Sequence, residues 1–403
     1  MKEVLEELER WGGDVIFGRA KGFRAALTRF LMSALAVVFR GMVQVRLWLF
    51  RSGWKEEHYL GTQVISIGNI TVGGTGKTPV LELLARSLRD RGRKVAILSR
   101  GYKSRRLEEP QKWRDANGRP IAGELMPKVV STGDSLLLSS RYAGDEPYML
   151  ARNLDGVCVV VDKDRVKGGR FATRHLQADT LLLDDGMQYV RLARGLNIVL
   201  VDSGAPFGTG SLLPRGTLRE PPKNLARAHY ILLTKCDGSA NDALVERIRQ
   251  YNRTADIIEC THGPVYLEDV FSGERRPLAD LDGKWVGSIS AIAVPEAFEK
   301  SLERLGAKVE ITRRFSDHYR FSRKDVDRFM QRCVERDMEM ILTTEKDAVR
   351  FPRPTSIDVP ILFLRIEVEI LKGREFWDEM IARLSDPNPA AEHLLRTRDG
   401  YRI

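Results

Sequence analysis

Residues 63–89 read QVISIGN, ITVGGTGKTP and VLELLARSLR, and this stretch decides the fold. An apolar, partly β-branched run at 64–67 precedes a glycine-rich loop, and residues 80–89 follow with apolar side chains at helical spacing, so we predict strand, loop and helix in succession. Glycines allow backbone N–H groups to turn inward and approach phosphate oxygens, which a Cβ atom would obstruct. The helix that follows directs its positive end at the same anion. The stretch therefore predicts a phosphate-binding loop, with a purely structural glycine turn as the alternative.

The loop has one departure from the common G-x-x-x-x-G-K-[ST] template, because Thr71 occupies the position of the first glycine. We expect Gly73 and Gly74 to supply the turn instead. Lys77 is predicted to reach the β- and γ-phosphates, and the Thr78 hydroxyl to bind Mg²⁺. The predicted nucleotide-binding residues are Thr71, Val72, Gly73, Gly74, Thr75, Gly76, Lys77 and Thr78.

A second metal-binding element is predicted at residues 181–186, which read LLLDDG. Three consecutive leucines favour a strand that is buried on both faces. Open α/β sheets place their chemistry at the carboxyl ends of such strands. Adjacent carboxylates repel each other unless a cation or hydrogen bonds offset the repulsion. We therefore expect Asp184 and Asp185 to bind Mg²⁺ together with Thr78, and a simple Asp-Gly turn is the alternative.

The fold class follows from the repetition of this pattern. Apolar runs at 95–98, 157–161 and 198–201 alternate with helical stretches, as in a parallel sheet with crossover helices. After residue 222 the pattern restarts and continues to 361–364. We predict an α/β protein: a P-loop NTPase-like parallel sheet domain, a second α/β sandwich domain and an N-terminal amphipathic membrane-associated helix. The expected boundaries are 1–52 for the N-terminal segment, 53–222 for the P-loop domain, 223–384 for the second domain that closes a cleft, and 385–403 for a C-terminal tail.

The charge of the chain narrows the possible partners. The 65 basic and 55 acidic residues give a net charge of +10, and eight of the basic residues lie between Val15 and Lys55 without any acidic residue. Positive charge that is concentrated in one short segment is not typical of a nucleic-acid-binding surface, so we expect no nucleic acid partner. The four cysteines lie far apart and no two have CxxC spacing, so we expect neither disulfides nor a zinc site.

The basic N-terminal segment also contains an apolar run. Residues 30–39 are apolar except Ser33, which is about half of the roughly 20 residues that a helix needs to cross a bilayer. If the helix continues to residue 51, its polar side chains form one stripe and Arg46 points away from it. We expect this helix to lie on an anionic membrane surface without spanning it, and docking on the protein's own core is the alternative. The stripe consists of Arg29, Ser33, Arg40, Gln44 and Arg51.

Taken together, these motifs resemble the tetraacyldisaccharide 4'-kinase family over about residues 53–383. A proline directly after the P-loop threonine is distinctive, and the order of the other segments adds to the resemblance. Met187 and Tyr189 depart from the family pattern, and residues 103–127 form a polar insertion. The segments that carry the resemblance are 66–79, 99–102, 144–147, 183–188, 212–216, 218–221, 317–318 and 344–348.

The resemblance implies transfer of the γ-phosphate of ATP to the 4'-hydroxyl of a lipid-linked glucosamine disaccharide 1-phosphate. The expected cofactors are ATP and Mg²⁺, and the expected location is the cytoplasmic face of the inner membrane. The partners would be an anionic membrane surface and the lipid-linked disaccharide phosphate, and we expect a monomer.

The resemblance also implies roles for particular residues. Asp145 would be the base in a pair with His318, and Lys77 would complete the catalytic set, since phosphoryl transfer needs a proton acceptor and positioned cations. A helix N-cap is the alternative for Asp145, and a structural role is the alternative for His318. Because the two belong to different predicted domains, we expect them to meet only when the cleft closes. The expected substrate-binding residues are Arg100, Tyr102, Arg165, Gln188, Arg219 and Glu220.

Two other functions remain open from the sequence alone. Residues 234–237, TKCD, imitate the guanine-reading pattern of P-loop GTPases. A GTPase, however, needs an aspartate that is separated from a glycine by two residues, whereas Asp185 directly precedes Gly186 and Asp184 is separated from it by only one residue. A non-enzymatic membrane adaptor would make little use of the P-loop lysine.

Overall fold

The computed structural model describes residue 7 and residues 11–114, 120–121 and 126–386. The predicted tail lies almost entirely outside these residues, as do 115–119 and 122–125 of the polar insertion. The strands are β1 Gln63–Asn69, β2 Val95–Ser99, β3 Trp113–Arg114, β4 Pro120–Ile121, β5 Lys128–Thr132, β6 Cys158–Val161, β7 Thr180–Asp184, β8 Leu196–Asp202, β9 Tyr230–Thr234, β10 Asp256–Asp269, β11 Arg275–Arg276, β12 Trp285–Ser290, β13 Lys308–Arg314, β14 Met340–Thr344 and β15 Ile361–Lys372. The helices are α1 Phe23–Arg51, α2 Lys77–Arg89, α3 Ser140–Ala143, α4 Asp145–Asn153, α5 Arg165–His175, α6 Asp242–Arg249, α7 Pro295–Arg304, α8 Arg323–Glu335, α9 Glu345–Ala348 and α10 Arg374–Ser385, with 3₁₀ turns at Pro222–Arg227 and Leu278–Leu281.

One large sheet runs through both predicted domains. Its order is β13-β12-β14-β15-β10-β9-β8-β1-β7-β2-β6-β5, with β11 beside β10, while β3 and β4 form a separate pair. Strands β10, β9, β8, β1, β7, β2 and β6 are parallel, and β5 closes the edge antiparallel to β6. Strands β13, β12, β14 and β15 form a second parallel set. Strand β9, which we assigned to the second domain, pairs with β8, so the sheet continues past the expected boundary at residue 222.

The long strands β10 and β15 join the two parallel sets and run antiparallel to each other. The start of β10 pairs with β9, where Glu259 faces Leu233, and its far end faces the part of β15 that pairs with β14. The strands of the two sets therefore run towards each other, and their carboxyl ends face across the middle of the β10–β15 pair. We call the space between these carboxyl ends the central gap. Open α/β sheets bind ligands at the carboxyl ends of their strands. In both halves of this sheet those ends face the central gap, so we expect ligands to bind there.

The core explains why the strand ends are held in place. The leucines of β7 are fully buried, as the LLL run predicted, because helices cover both faces of the sheet. Helix α2 packs Val80, Leu84 and Leu88 on one face, and α5 packs Val166 and Ala172 on the other. Burial of each such aliphatic side chain contributes about 1.5–3 kcal/mol, so the loops that follow β1 and β7 start from rigid positions.

Helix α1 extends beyond the apolar run at 30–39 and ends at Arg51, the last residue of the predicted stripe. Its 29 residues extend about 44 Å at 1.5 Å per residue, and by length and composition the helix is long and apolar enough to cross a membrane. Only Ala25, Ala36 and Leu47 are buried, so its apolar surface is not packed on the protein's own core. Arg46, which points away from the predicted stripe, faces the rest of the chain and donates a 3.0 Å hydrogen bond to the Gln188 carbonyl.

Candidate active site

The phosphate-binding loop adopts the conformation that its glycines allow. Gly73 and Gly76 have φ values of 112° and 76°, in the region that favours glycine, and Gly76 caps helix α2. A Cβ atom on Gly76 would overlap the ring of His262, whose Nε2 lies 3.2 Å from the Gly76 carbonyl oxygen. Thr71 forms an isolated bridge with Leu218, so Gly73 supplies the turn where the template has a glycine at residue 71.

Lys77 lies between the loop and the acidic pair. Its Nζ donates to Asn69 Oδ1 at 3.2 Å and lies 3.6 Å from Asp185 Oδ1. Asn69 in turn donates to the Thr71 carbonyl at 2.9 Å. The first turn of α2, which also contains Thr78, is thereby held against the carboxyl ends of β1 and β7. The structure thus brings the predicted phosphate loop and the predicted metal-binding carboxylates together.

The two aspartates after β7 have different environments. Asp184 is buried and accepts a 2.8 Å hydrogen bond from Ser99 Oγ. Burial, together with the negative charge of Glu146, raises the pKa of Asp184 to about 6. Burial also opposes ionisation of Asp185, but the charges of Lys77 and Arg219 outweigh it and lower the pKa of that carboxyl.

The glycine after the pair is required by close packing. A Cβ atom on Gly186 would lie 2.6 Å from both Ser66 Oγ and Leu183 Cβ. Asp185 has a φ of 52°, a conformation that turns its side chain out of the strand direction. The Asp-Gly turn and the acidic site are therefore the same feature.

The site suits Mg²⁺ by its donor atoms. Thr78, Asp184 and Asp185 offer only oxygen, and burial together with the negative charges of Glu146 and Asp185 raises the pKa of Asp184, which a bound cation would offset. Mg²⁺ usually binds one or two carboxylates and completes its shell with water and phosphate oxygens. Within the described ranges, no group of three or more His, Cys, Asp or Glu side chains is arranged to hold a metal by itself.

Asp145 and His318 are in contact across the central gap. His318 Nδ1 lies 3.1 Å from Asp145 Oδ2, and both side chains are largely buried. Arg320 and Arg350 lie 3.6 and 3.7 Å from the carboxylate. Burial opposes ionisation of Asp145, but the hydrogen bond to His318 and the charges of Arg350 and Arg320 lower its pKa. The carboxylate is therefore ionised at neutral pH.

Two expectations about this pair change with the structure. Gly144, and not Asp145, is the N-cap of α4, and the Asp145 carboxylate makes no capping hydrogen bond, so a plain capping role is excluded. The two side chains also meet in the conformation described here. The expected closure of a cleft is therefore not required for Asp145 and His318 to come into contact.

Three predicted substrate-binding residues lie around the gap. Tyr102 is 65% exposed and its ring meets the edge of the His318 ring at 5.7 Å. Arg100 is exposed directly after Ser99, the residue that binds Asp184. Arg165 is buried, and its guanidinium lies 4.8 Å above the Tyr189 ring.

The other three form a hydrogen-bonded group behind Asp185. Arg219 donates to Asp185 Oδ2 at 2.6 Å, and Gln188 donates to Glu220 Oε1 at 3.0 Å. Glu220 is only 2% exposed and also accepts hydrogen bonds from Asn224 and Arg227. The structure does not bring the Glu220 carboxylate to the gap, so we revise its role to the positioning of Gln188.

Several side chains of the site were not predicted from the sequence. Lys346 Nζ lies 3.2 Å from His318 Nε2, and Lys235 Nζ donates to the Gly74 carbonyl at 2.7 Å. His262 and Arg350 also belong to this set. Lys346 lies in the segment 344–348 and Lys235 in the segment 234–237, both of which had been noted as motifs, but their directions depend on tertiary packing.

Comparison with known proteins identifies one family. The family model described as tetraacyldisaccharide-1-P 4'-kinase matches residues 28–385, so the match begins earlier than the expected residue 53 and includes most of α1. The tetraacyldisaccharide 4'-kinase of Anaeromyxobacter dehalogenans strain 2CP-C is 38% identical over 349 residues, which cover 85% of this chain and 87% of that protein. The one from Syntrophus aciditrophicus strain SB is 37% identical over 336 residues, covering 81% and 85%. The crystal structure of LpxK from Aquifex aeolicus in complex with ATP is similar with a TM-score of 0.69 and 28% identity, covering 89% of this chain and 100% of that one.

Proposed function

The chain belongs to the tetraacyldisaccharide-1-P 4'-kinase family, and from that premise we propose how its residues perform the reaction. The protein is an ATP-dependent kinase that transfers the γ-phosphate of ATP to the 4'-hydroxyl of a lipid-linked glucosamine disaccharide 1-phosphate in lipid A biosynthesis. The observation that carries the mechanism is the central gap, which has a phosphate loop with two carboxylates on one side and reaches the Asp145–His318 pair on the other. The family assignment does not favour the GTPase alternative.

Phosphate binding falls to the loop and Lys77. The backbone amides around Gly74 and Gly76 and the positive end of α2 suit the terminal phosphates of ATP, and the Lys77 ammonium adds a fixed charge. Thr78, Asp184 and Asp185 would hold Mg²⁺, which when bound neutralises charge that develops on the β- and γ-phosphate oxygens. Positive groups already in place before the reaction need no reorganisation as charge builds up.

Proton transfer falls to Asp145. The acceptor O–H bond breaks, a bond from that oxygen to the γ-phosphorus forms, the bond from phosphorus to the ADP oxygen breaks, and Asp145 takes the proton. His318 occupies Oδ2, while Oδ1 is buried and accepts no hydrogen bond from the described residues. Arg320, 3.6 Å from Oδ1, is the side chain that an incoming hydroxyl displaces.

The disaccharide phosphate lies at the rim of the gap in this proposal. Arg100 and Arg165 offer guanidinium groups to its phosphate, and Tyr102 offers a ring beside the Asp145–His318 pair. Arg219, which we predicted to bind the same substrate, holds Asp185 from behind. Gln188 accepts a hydrogen bond from Arg219 at 3.4 Å and so helps to orient the guanidinium that donates to Asp185. Both halves of the gap come from one chain, which supports a monomer as the working unit.

The location follows from α1 and the donor nucleotide. The helix exposes large apolar side chains and carries a basic stripe, which favours an anionic membrane surface. We place the enzyme on the cytoplasmic face of the inner membrane, where ATP and a substrate anchored in the bilayer are both accessible. The four free cysteines fit a reducing compartment.

The test is a direct transfer assay. Purified protein is incubated with γ-labelled ATP, Mg²⁺ and a detergent-dispersed disaccharide 1-phosphate lipid, and the new phosphate is located on the sugar. We expect label on the 4'-oxygen, and a loss of about 10³-fold or more in rate for Lys77→Ala. Lys284→Ala, a surface lysine paired with Glu339, should retain the wild-type rate. Label on the 1-phosphate, or equal rates for the two variants, would contradict the proposal.

A further inference from the structure

We propose that Lys346 is a positioning residue that holds His318 in its Nδ1–H tautomer, so that Asp145 accepts the substrate proton through Oδ1. The inference rests on the proposed kinase function, which assigns the base role to Asp145. Lys346 has no role in the proposed transfer of the phosphate or of the proton.

The contact that carries the inference lies at the start of helix α9. Strand β14 ends at Thr344 at the central gap, and Lys346 follows in the next turn. Its Nζ lies 3.2 Å from His318 Nε2 and 3.7 Å from Asp317 Oδ1, and its side chain is 27% exposed. His318 therefore has a carboxylate on one ring nitrogen and an ammonium on the other.

The hydrogen-bonding capacity of Lys346 and Asp145 determines which ring nitrogen of a neutral His318 carries the hydrogen. A lysine ammonium has three donors and no acceptor, so His318 Nε2 must be the acceptor in this contact. In the neutral ring the hydrogen then lies on Nδ1, which donates to Asp145 Oδ2 at 3.1 Å. Oδ2 is thereby occupied, and the remaining oxygen Oδ1 is the one without a donor.

The residues next to Lys346 in the chain are held by hydrogen bonds and ion pairs, which fixes the direction of its side chain. Thr344 caps α9 by accepting a hydrogen bond from the Asp347 backbone N–H. The buried Asp347 carboxylate accepts from the Ala291 N–H at 2.9 Å and pairs with Arg350, whose guanidinium also approaches Asp145. Glu345, on the other side of Lys346, pairs with Arg365 at 2.7 Å. Anchors before and after Lys346 aim its side chain at His318.

Removal of the Lys346 ammonium would change the electrostatic environment of the His318 ring. The groups that face His318 are Asp145 on Nδ1, Asp317 with its Oδ2 at 3.9 Å from Nε2, Lys346, and the ring of Tyr102. Without Lys346 the ring lies between two carboxylates, which favours a proton on both nitrogens. A doubly protonated ring beside Asp145 weakens the carboxylate as a base. Arg320 and Arg350 face only the carboxylate and do not replace Lys346 at Nε2.

The first measurement is the tautomer itself. In ¹⁵N-histidine-labelled full-length protein, long-range ¹H–¹⁵N correlation spectra distinguish protonated from unprotonated ring nitrogens, and the His318 signals are assigned by their loss in His318→Gln. We expect Nδ1 protonated and Nε2 unprotonated at pH 7.5. A proton on Nε2, in either the neutral or the doubly protonated ring, overturns the proposal. Because this readout needs no catalysis, it stands apart from the test of the kinase function.

The second measurement is the pH profile of the transfer reaction. Lys346→Met should move the acid limb of kcat upwards by about 1 pH unit and lower kcat at neutral pH, since the pair then takes up a proton more readily. The KM for ATP should change by less than about twofold, because phosphate binding is untouched. Lys346→Arg should keep the Nδ1–H tautomer, since a guanidinium also has only donors. Lys284→Met is the matched control and should leave both readouts unchanged.

A purely structural role predicts a different result. In that case Lys346→Met would lower activity or stability without moving the pH profile or the His318 tautomer, and this outcome overturns the proposal. If Lys346→Met fails to fold, the wild-type and Lys346→Arg spectra still decide the question.

Discussion

Asp184 shows how a single residue of the phosphate site works against the stability of the fold. Its carboxylate lies at the end of the buried strand β7, with Ser99 as its hydrogen-bond donor and Glu146 and Asp185 as negative neighbours. The pKa of about 6, above the ordinary value of 3.8, means that the folded protein keeps a proton which the unfolded chain has lost between pH 4 and 6. Stability from this group therefore falls as pH rises through this window, by roughly 3 kcal/mol in total.

Asp184→Asn should accordingly raise the free energy of unfolding at pH 8, by up to that amount, and give little gain near pH 4, while it abolishes activity. Urea unfolding in EDTA at the two pH values measures the difference. Asp185→Asn is the matched control with the opposite sign, because Lys77 and Arg219 lower the pKa of Asp185 and its charge stabilises the fold above the ordinary pKa. A destabilised Asp184→Asn at pH 8 would contradict the burial argument. Mg²⁺ should raise the unfolding temperature of the wild type more than that of Asp184→Asn.

At the scale of elements, helix α1 has the most specific test. Val38 is 59% exposed on its apolar surface, and Val→Asp there places a charge where we propose lipid contact. We expect Val38→Asp to lower the fraction bound to vesicles of anionic lipid by about tenfold, with the rate on detergent-dispersed substrate largely kept. Val334→Asp, an exposed valine on α8, should bind vesicles like the wild type. Equal binding of the two variants would remove the support for α1 as the membrane element.

The elements also show what sequence alone can predict. Strands β1, β2 and β7 were predicted to within two residues, because continuous apolar runs between polar loops mark strands buried on both faces. Helix α1 continues to Arg51, as the predicted stripe required, because Arg40 and Arg46 interrupt the apolar run but not the helix. Its start at Phe23 was not predicted. Pairing of β8 with β9, and of β10 with β15, depends on side chains far apart in the chain and was not predicted.

The same limit applies to the site. The loop, Lys77 and the two aspartates lie in local patterns with a physical reason at each position, so residue type and spacing were enough. The expectation that Asp145 and His318 act together came from a family resemblance across 173 residues, and their contact depends on how two halves of one sheet face each other. Lys346 lies in the motif at 344–348, but the sequence did not indicate its contact with His318, because the direction of a lysine is set by the packing around it.

For the whole molecule, a buried charge cluster joins the two halves beneath the gap. Arg365 of β15 pairs with Glu82 of the P-loop helix α2 and with Glu345 of α9, and all three are largely buried. Asn153 donates to Glu345 at 2.6 Å and completes the cluster. Helix α2, to which we assign phosphate binding, and the segment that carries Lys346 therefore share one arginine.

Arg365→Met should reduce the free energy of unfolding by about 3–5 kcal/mol, since it leaves the buried Glu345 carboxylate without its cation, while Glu82 keeps only Arg86 at 2.5 Å. Urea unfolding measures this loss. The control Arg383→Met removes an arginine from an exposed pair with Glu379 and should cost less than about 1 kcal/mol. Similar losses for the two arginines would show that the cluster does not carry the connection between the halves.

The bond from Arg46 to the Gln188 carbonyl has a consequence for how the enzyme meets its substrate. The helix that we place in lipid is fastened through this bond to the loop next to Asp184 and Asp185. The depth at which the helix settles in the bilayer then sets the height of the reacting phosphate above the headgroups. In the proposed arrangement, a sugar hydroxyl at that height is reached while its acyl chains remain in the membrane, so α1 would match the height of the active site to that of its substrate.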